Sequence, residues 1–234
     1  MITDNILVAF ESLHYMQNIS SGKTNYMAVK LDMSKAYDHV EWVYLENIMR
    51  KMGFSEKWIG LTTVCIKIVT YSILINGETQ GLIQPTKGIW QGNPLSPFLF
   101  LLCTEGLHGL IQEATRVGDI KGLSICQRCP QLTHLLFTND SLLFCRATIE
   151  ERRKIIKILD SYKAGSSQKV KKKKITIFFT KSTPKGTKEE ITEVLGLQEI
   201  VKYDKYLGRP SLVGRKKKES FNFIKEKVWR KLQG

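Results

Sequence analysis

Apolar residues near the start of the chain recur at helical spacing, and an alternating stretch follows. Ile6, Phe10 and Leu13 repeat every three or four positions, which predicts a helix over residues 4–19. Apolar and polar residues alternate over 26–32, which predicts a strand. Helical spacing recurs later and predicts further helices over about 40–52, 55–69, 96–115, 150–163, 188–195 and 216–232.

Strand-like segments occur in pairs between these helices. Residues 71–75 and 80–83 flank Asn76-Gly77, a dipeptide that fits a two-residue hairpin turn with positive φ. Further strands are predicted over 132–137, 141–145, 175–180 and 203–207, the first two joined by a tight turn. Hairpins that alternate with helices outside strict strand–helix–strand order favour an α+β fold, an antiparallel sheet with helices packed on one face.

Length and composition permit a sizeable core. The chain has 234 residues, 42% of them hydrophobic, but no run of 18 apolar residues, and its N-terminus has no basic segment before an apolar block. Neither a membrane-spanning helix nor a signal peptide is therefore expected. The five cysteines are an odd number, which argues against a disulfide scaffold and for an intracellular, reducing compartment. Cys126 and Cys129 have metal-ligand spacing, but only His134 lies nearby and structural zinc takes four ligands, so no zinc site is expected.

Positive charge is concentrated in the second half of the chain. Residues 1–117 contain 9 Lys+Arg and 10 Asp+Glu, whereas residues 118–234 contain 27 and 12. The basic runs 152–154, 171–174 and 215–218 supply much of the excess. Such clusters indicate contact with phosphates or anionic lipid, with solvated faces and loops as the alternative.

Two aspartates stand at positions where a sheet can bring them together. Asp32 ends the predicted strand 26–32, and Asp140 lies in the turn of the apolar hairpin. Acids at a strand end and a hairpin tip can converge on one sheet edge and hold divalent metal ions through oxygen ligands. Acidic residues in such places are also commonly just solvated, so the pair alone leaves both interpretations open.

Four stretches that occur in a fixed order along the chain favour the metal-site interpretation of these aspartates. They are Val29–Asp38, Lys87–Phe100, His134–Phe144 and Lys205–Gly214. Together they resemble the reverse transcriptase domain of non-LTR (LINE-type) retrotransposons, most closely the kind found in plant genomes. The resemblance implies a polymerase palm: partial fingers over about 1–25, palm with inserted fingers elements over 26–200, and primer grip with the start of the thumb over 201–234.

The resemblance also implies a reaction. It is RNA-templated DNA synthesis, in which a primer 3′-hydroxyl attacks the α-phosphorus of a deoxynucleotide and pyrophosphate leaves. Two Mg²⁺ ions are the expected cofactors, since such chemistry depends on positioning and charge neutralisation. The expected partners are an RNA template, a DNA primer and deoxynucleoside triphosphates; no membrane is expected, and no protein partner is indicated.

Individual residues match the motifs of this family. Asp32 and Asp140 match metal-binding aspartates, and Asn139 stands where the family has a third. Tyr37 matches the aromatic residue that selects deoxynucleotides by crowding the sugar 2′ position. The remaining matches are Gln91 and Gly92 at template and nucleotide, Lys174 (or a neighbour within 171–174) as proton donor to pyrophosphate, and Tyr206, Leu207 and Gly208 in the primer grip.

The chain departs from the family pattern at several of its motifs. Asn139 and Asn93 each replace an aspartate, Ser167 replaces a glycine before Gln168, and Arg209 replaces an apolar residue. The loss of a ligand charge at Asn139 predicts impaired catalysis. The chain is also expected to be a truncated fragment of a longer element.

Three interpretations follow from these departures. The first is a reverse transcriptase domain able to extend a primer. The second is a non-catalytic remnant that only binds nucleic acid through its basic C-terminal half. The third, an unrelated basic α+β binding module, would require the four matching stretches to be accidental.

Overall fold

The computed structural model describes most of the chain. The described residues are 2–20, 24–34, 36–126, 129–137, 140–170, 175–195, 198–199, 225–226, 228–230 and 232–233. The helices are α1 (Ile2–Asn18), α2 (Trp42–Lys51), α3 (Glu56–Lys67), α4 (Ser96–Arg116), α5 (Ile149–Ser166) and α6 (Lys185–Leu195). The strands are β1 (Tyr26–Ser34), β2 (Tyr71–Ile75), β3 (Glu78–Ile83), β4 (His134–Phe137), β5 (Asp140–Arg146), β6 (Lys169–Val170), β7 (Thr176–Phe179) and β8 (Gln198–Glu199).

The chain forms two compact units. The first comprises residues 1–31, 121–152 and 172–234, and the second comprises residues 32–120 and 153–171. The boundary between them falls within β1, directly after Leu31. The two units are described separately below.

One sheet contains most of the described strands. Its order is β4-β5-β1-β7-β8, and the short β6 pairs with the end of β1. β1 runs antiparallel to β7, with Ala28 opposite Phe178 and Lys30 opposite Thr176. β4 and β5 form an antiparallel hairpin in which the last residue of β4 faces Asp140. β8 lies parallel to β7.

Helix α1 covers part of this sheet in the first unit. Its residues Ala9, Leu13 and Met16 are buried in one apolar cluster with side chains from three strands. Because side chains alternate along a strand, Ala28 shares its face of β1 with Lys30 and Asp32. The strand side chains of the cluster are Ala28, Leu142, Phe144 and Phe178. Asn5 of α1 also donates a hydrogen bond to the Leu136 carbonyl, at 3.2 Å.

A buried carboxylate fixes the end of β5. One oxygen of Glu151 accepts the backbone N–H of Lys121 at 3.1 Å and that of Arg146 at 2.9 Å. Burial raises the pKa of Glu151, and the two hydrogen bonds offset part of this rise because they favour the charged form. Glu151 therefore links the segment before residue 123 to the end of β5.

Helices α2, α3 and α4 form much of the second unit. Ser55 caps α3 by accepting the backbone N–H of Trp58, and α2 packs against both α3 and α4. The hydroxyls of Tyr44 and Tyr162 both donate to the Cys103 carbonyl, at 3.1 and 3.4 Å. Burial raises the pKa of the Cys103 thiol to about 12, so this cysteine stays neutral and packs as an apolar residue.

The β2–β3 hairpin forms a separate two-stranded sheet in the second unit. Asn76 and Gly77 both have positive φ, 52° and 88°, as a two-residue hairpin turn requires. Every residue of the two strands is exposed, including Ile73, Leu74 and Leu82. The hairpin is therefore held by its own backbone hydrogen bonds and buries little apolar surface.

The α+β prediction is confirmed, with differences in detail. The predicted helices from 4–19 to 188–195 and the strands up to 175–180 appear within a few residues of the expected limits. The sheet is not wholly antiparallel, because β8 pairs in parallel with β7. The predicted strand 203–207 lies outside the described residues, as does most of the predicted helix 216–232. Within the described helices, none combines the length and apolar character that crossing a bilayer requires.

Candidate active site

In the first unit, the sheet face that packs against α1 also carries an ion pair between Lys30 and Asp140. Asp140 begins β5, and its carboxylate lies 3.5 Å from the Lys30 ammonium of β1. Both side chains are about a quarter exposed or less, so the pair is only partly solvated. Thr176 of β7 lies opposite Lys30 in the antiparallel pairing of β7 with β1. Asp140 is therefore an oriented carboxylate that solvent can still reach.

Asp32 lies two residues after Lys30 on β1, beyond the boundary between the units. It is partly buried and shares its strand face with Lys30. β1 and β5 are neighbours in the order of the sheet. Asn139 lies outside the described residues.

The donor chemistry of these residues suits Mg²⁺. Carboxylate oxygens on rigid strands are the ligands that this hard cation takes in proteins. Among the residues that the structure describes, no three His, Cys, Asp or Glu side chains group closely enough to form a metal site by themselves. Asp32 and Asp140 are each a carboxylate of the type that such a cation takes.

In the second unit, Tyr37 lies in the turn after β1. Its ring stacks on Phe100 of α4, with 4.9 Å between ring centroids and 21° between the planes. Its carbonyl accepts the backbone N–H of Ile89, at 2.9 Å. Burial raises the pKa of the Tyr37 hydroxyl, which therefore stays protonated at neutral pH. The Tyr37 ring is therefore firmly held and partly exposed. Such a ring can exclude another group by occupying its space.

The loop that ends at residue 92 is attached to the same turn. Gly88 donates its backbone N–H to the Val40 carbonyl at 2.8 Å, and its own carbonyl accepts the indole N–H of Trp42 at 2.7 Å. Gly88 has φ +91°, and a Cβ there would lie 2.9 Å from the Asp38 carbonyl oxygen. This close approach of two backbones explains why the loop needs glycine at 88.

The exposed tip of this loop carries Gln91 and Gly92. Both residues are exposed, and open space surrounds the position that a Cβ of Gly92 would take. Asn93 accepts the backbone N–H of Leu95 on its side-chain oxygen, at 2.9 Å. A carboxylate oxygen could accept the same hydrogen bond, so this contact does not require asparagine rather than aspartate at position 93.

A residue that follows α5, Gln168, also contacts the Tyr37 turn. Gln168 is fully buried, and its Nε2 donates to the Ala36 carbonyl at 2.9 Å. Neither this contact nor the Phe100 stack was predicted. The sequence signal at Gln168 was its position directly after Ser167, where the chain departs from the family pattern, and this signal does not identify a hydrogen-bond partner.

Ser167 occupies a strained backbone conformation. Its φ is +56°, in the left-handed region that favours glycine. We expect Ser167→Gly to increase the free energy of unfolding by about 1 kcal/mol, since L-residues lose roughly that much in this region. Urea unfolding measures the change. Ser161→Gly, inside α5 at an exposed position, is the control and should instead decrease it.

Several expected site residues fall outside the described part of the chain. They are Asn139, Lys174, Tyr206, Leu207 and Gly208. Their assignment to the metal site, the proton donor and the primer grip stays a prediction.

One covalent link was not foreseen. Cys126 and Cys129 form a disulfide within an exposed loop, whose ends are joined by paired backbone hydrogen bonds between Leu123 and Leu132. Two cysteines with two residues between them suit either a metal or a bridge, and sequence spacing does not choose between the two. The described Cys65, Cys103 and Cys145 are unbridged.

Comparison with known proteins places these features in a family. The family model described as "Reverse transcriptase (RNA-dependent DNA polymerase)" matches residues 2–223. An uncharacterized mitochondrial protein of Arabidopsis thaliana is 47% identical over 68 residues, which cover 29% of this chain and 56% of that protein. A retrovirus-related Pol polyprotein from type-1 retrotransposable element R2 of Popillia japonica is 32% identical over 123 residues, 52% of this chain and 19% of the polyprotein. The chain thus spans about half the length of the first relative and a fifth of the second.

Solved structures show the same fold at low sequence identity. Telomerase from Candida albicans, in complex with a fragment of telomeric RNA, matches with a TM-score of 0.53 and 14% identity, covering 73% of this chain and 29% of that one. Apo telomerase from Candida tropicalis matches with a TM-score of 0.51 and 17% identity, covering 76% and 34%. At these identities the likeness concerns the fold alone.

Proposed function

Since the chain belongs to the reverse transcriptase family and has relatives among non-LTR retrotransposons, we propose that it is the polymerase domain of a retroelement protein, impaired in nucleotidyl transfer. The observation that carries this proposal is the match of the reverse transcriptase family model to residues 2–223. The proposed division into partial fingers (1–25), palm (26–200) and primer grip with thumb (201–234) follows the matching motifs.

Asp32 and Asp140 hold Mg²⁺ in this proposal. When bound, the ions supply charge stabilisation for the attacking and leaving oxygens of the transfer. The ion pair between Lys30 and Asp140 bears on this role, because a cation already lies against one of the two carboxylates. Asn139 is neutral, so the site has one negative charge fewer than its family equivalent.

The other residues bind and orient the substrates. The Tyr37 ring, supported by Phe100, excludes a ribose 2′-hydroxyl from the nucleotide position. Gln91 and Gly92, at the exposed loop tip, contact template and incoming nucleotide. Lys174 gives a proton to the departing pyrophosphate, and residues 206–208 hold the primer end.

Nucleic-acid binding does not depend on a carboxylate at position 139. The basic second half, with 27 Lys+Arg against 12 Asp+Glu, supports binding to the phosphate backbone. A non-catalytic binding remnant is therefore the second candidate, and the missing charge at position 139 is the observation that favours it.

We expect affinity for an RNA–DNA primer–template duplex to fall about a hundredfold between about 50 and 200 mM salt, as about four phosphate contacts require. Fluorescence anisotropy at several salt concentrations gives the slope of the logarithm of the binding constant against the logarithm of the salt concentration. Lys172→Gln with Lys173→Gln should reduce the slope by about one for each lost contact. The matched pair Lys51→Gln with Lys57→Gln, exposed in the acidic half, should leave it unchanged. An affinity independent of salt would contradict binding to the phosphate backbone through the basic second half.

A further inference from the structure

The hydrogen bond from Gln168 to Ala36 has a consequence for the residue that follows Ala36. We propose that Gln168 is a positioning residue for Tyr37, through which the chain discriminates between deoxynucleotides and ribonucleotides. This inference rests on the proposed function, because it assumes that Tyr37 faces the sugar. All the groups that carry it lie in the second unit.

The hydrogen bond acts on the peptide group that leads into Tyr37. Gln168 Nε2 donates to the Ala36 carbonyl oxygen at 2.9 Å. That oxygen belongs to the planar peptide unit whose nitrogen is the backbone nitrogen of Tyr37. Fixing the orientation of this unit therefore fixes the start of Tyr37.

The peptide group on the other side of Tyr37 is fixed as well. The Tyr37 carbonyl accepts the N–H of Ile89 at 2.9 Å. With both flanking peptide planes held, the direction of the Cα–Cβ bond is set, and stacking on Phe100 then limits ring rotation. Of the three supports, only Gln168 comes from a segment more than 100 residues away in sequence.

Gln168 is itself held at the end of α5. Its backbone N–H donates to Ser166 Oγ at 3.2 Å, and that hydroxyl donates to the Tyr162 carbonyl at 2.6 Å. Ser166 and Gln168 are both buried. The amide therefore extends from a fixed base, as a group that orients another residue must.

The side-chain oxygen of Gln168 indicates that its amide is kept for the hydrogen bond that its nitrogen donates. In the described part of the chain, Gln168 Oε1 is buried without a hydrogen-bond partner. A buried acceptor without a partner is unfavourable, and methionine would fill a similar volume without that cost. The compensating benefit is the donor on the same amide, which bonds to Ala36.

The test uses the full chain with 3-fluorotyrosine placed at position 37. Gln168→Met removes the donor at similar volume, and Gln112→Met makes the same change at an exposed position of α4 in the same unit. We expect the fluorine resonance of position 37 to shift or broaden in Gln168→Met and to stay unchanged in Gln112→Met. An unchanged resonance in folded Gln168→Met would overturn the proposal.

A second readout concerns the sugar. The affinities for dGTP and GTP are compared in the presence of primer–template and Mg²⁺. We expect the preference for dGTP to fall about tenfold in Gln168→Met, since displacement of a positioning group by a fraction of an ångström weakens selection. A preserved preference together with a displaced Tyr37 would overturn the sugar-discrimination claim.

Two further outcomes are separable. If no variant binds either nucleotide, the proposed function fails, and the fluorine spectrum decides the positioning claim alone. If circular dichroism shows that Gln168→Met does not fold, Ser166→Ala is measured instead. It keeps the amide and removes the hydroxyl that orients its backbone, so a smaller shift of the same resonance supports the proposal and no shift contradicts it.

Discussion

Exchanging Asn139 for aspartate is expected to raise primer extension on an RNA template by about a thousandfold. Asparagine keeps the shape of aspartate but lacks its negative charge and second anionic oxygen. Loss of a ligand charge from a two-metal site removes several kcal/mol of transition-state stabilisation, at about 1.4 kcal/mol for each factor of ten. Extension of a labelled primer with Mg²⁺ and deoxynucleotides measures the change.

Two variants make this result specific. Asn93→Asp restores the other family aspartate but acts at a side chain already bonded to the Leu95 N–H, so it should change extension little. Asp32→Asn, combined with Asn139→Asp, should abolish the gain. Strong extension by the unaltered chain would show that Asn139 is tolerated. No extension by folded Asn139→Asp would assign the defect to other parts of the site.

Gly88→Ala is expected to decrease the free energy of unfolding by about 3 kcal/mol. About half of this is the cost of a left-handed φ for alanine, and the rest is overpacking against a backbone that cannot yield like a side chain. The added Cβ would lie 2.9 Å from the Asp38 carbonyl oxygen and 3.2 Å from two further backbone atoms. Urea unfolding measures the difference.

Gly118→Ala is the matched control for this substitution. Gly118 also has positive φ, +80°, but nothing lies within 4 Å of an added Cβ. Gly118→Ala should therefore decrease the free energy of unfolding only by the cost of a left-handed φ for alanine, about 1–2 kcal/mol. Equal losses in the two variants would mean that the contact between the two loops at Gly88 and Asp38 contributes nothing.

Local sequence signals predicted much of the fold and the family. Asn76-Gly77 determines its own turn geometry, and the apolar spacing of α1 and α4 gave their limits within a few residues. The family inferred from four ordered stretches is confirmed by the match over residues 2–223. These features depend on neighbours in sequence, which is why they could be predicted.

Contacts between distant segments could not be predicted in this way. Glu151 accepts the N–H of Lys121, and Gln168 bonds to Ala36, but any buried acceptor or donor could have served as partner. The parallel pairing of β8 likewise depends on the path of the chain, since two residues carry no strand pattern. The strain at Ser167 becomes visible only with its φ, although the glycine usual in the family hinted at it.

The exposed β2–β3 hairpin offers a surface through which copies of this chain can associate in concentrated solution. Among the described residues its two strands pair with each other and with no further strand, and they expose Ile73, Leu74 and Leu82 to solvent. Open strand edges beside branched apolar side chains are templates for edge-to-edge association. The net charge of +14 opposes such association by mutual repulsion, and added salt screens this repulsion, so self-association through the hairpin is favoured at high ionic strength.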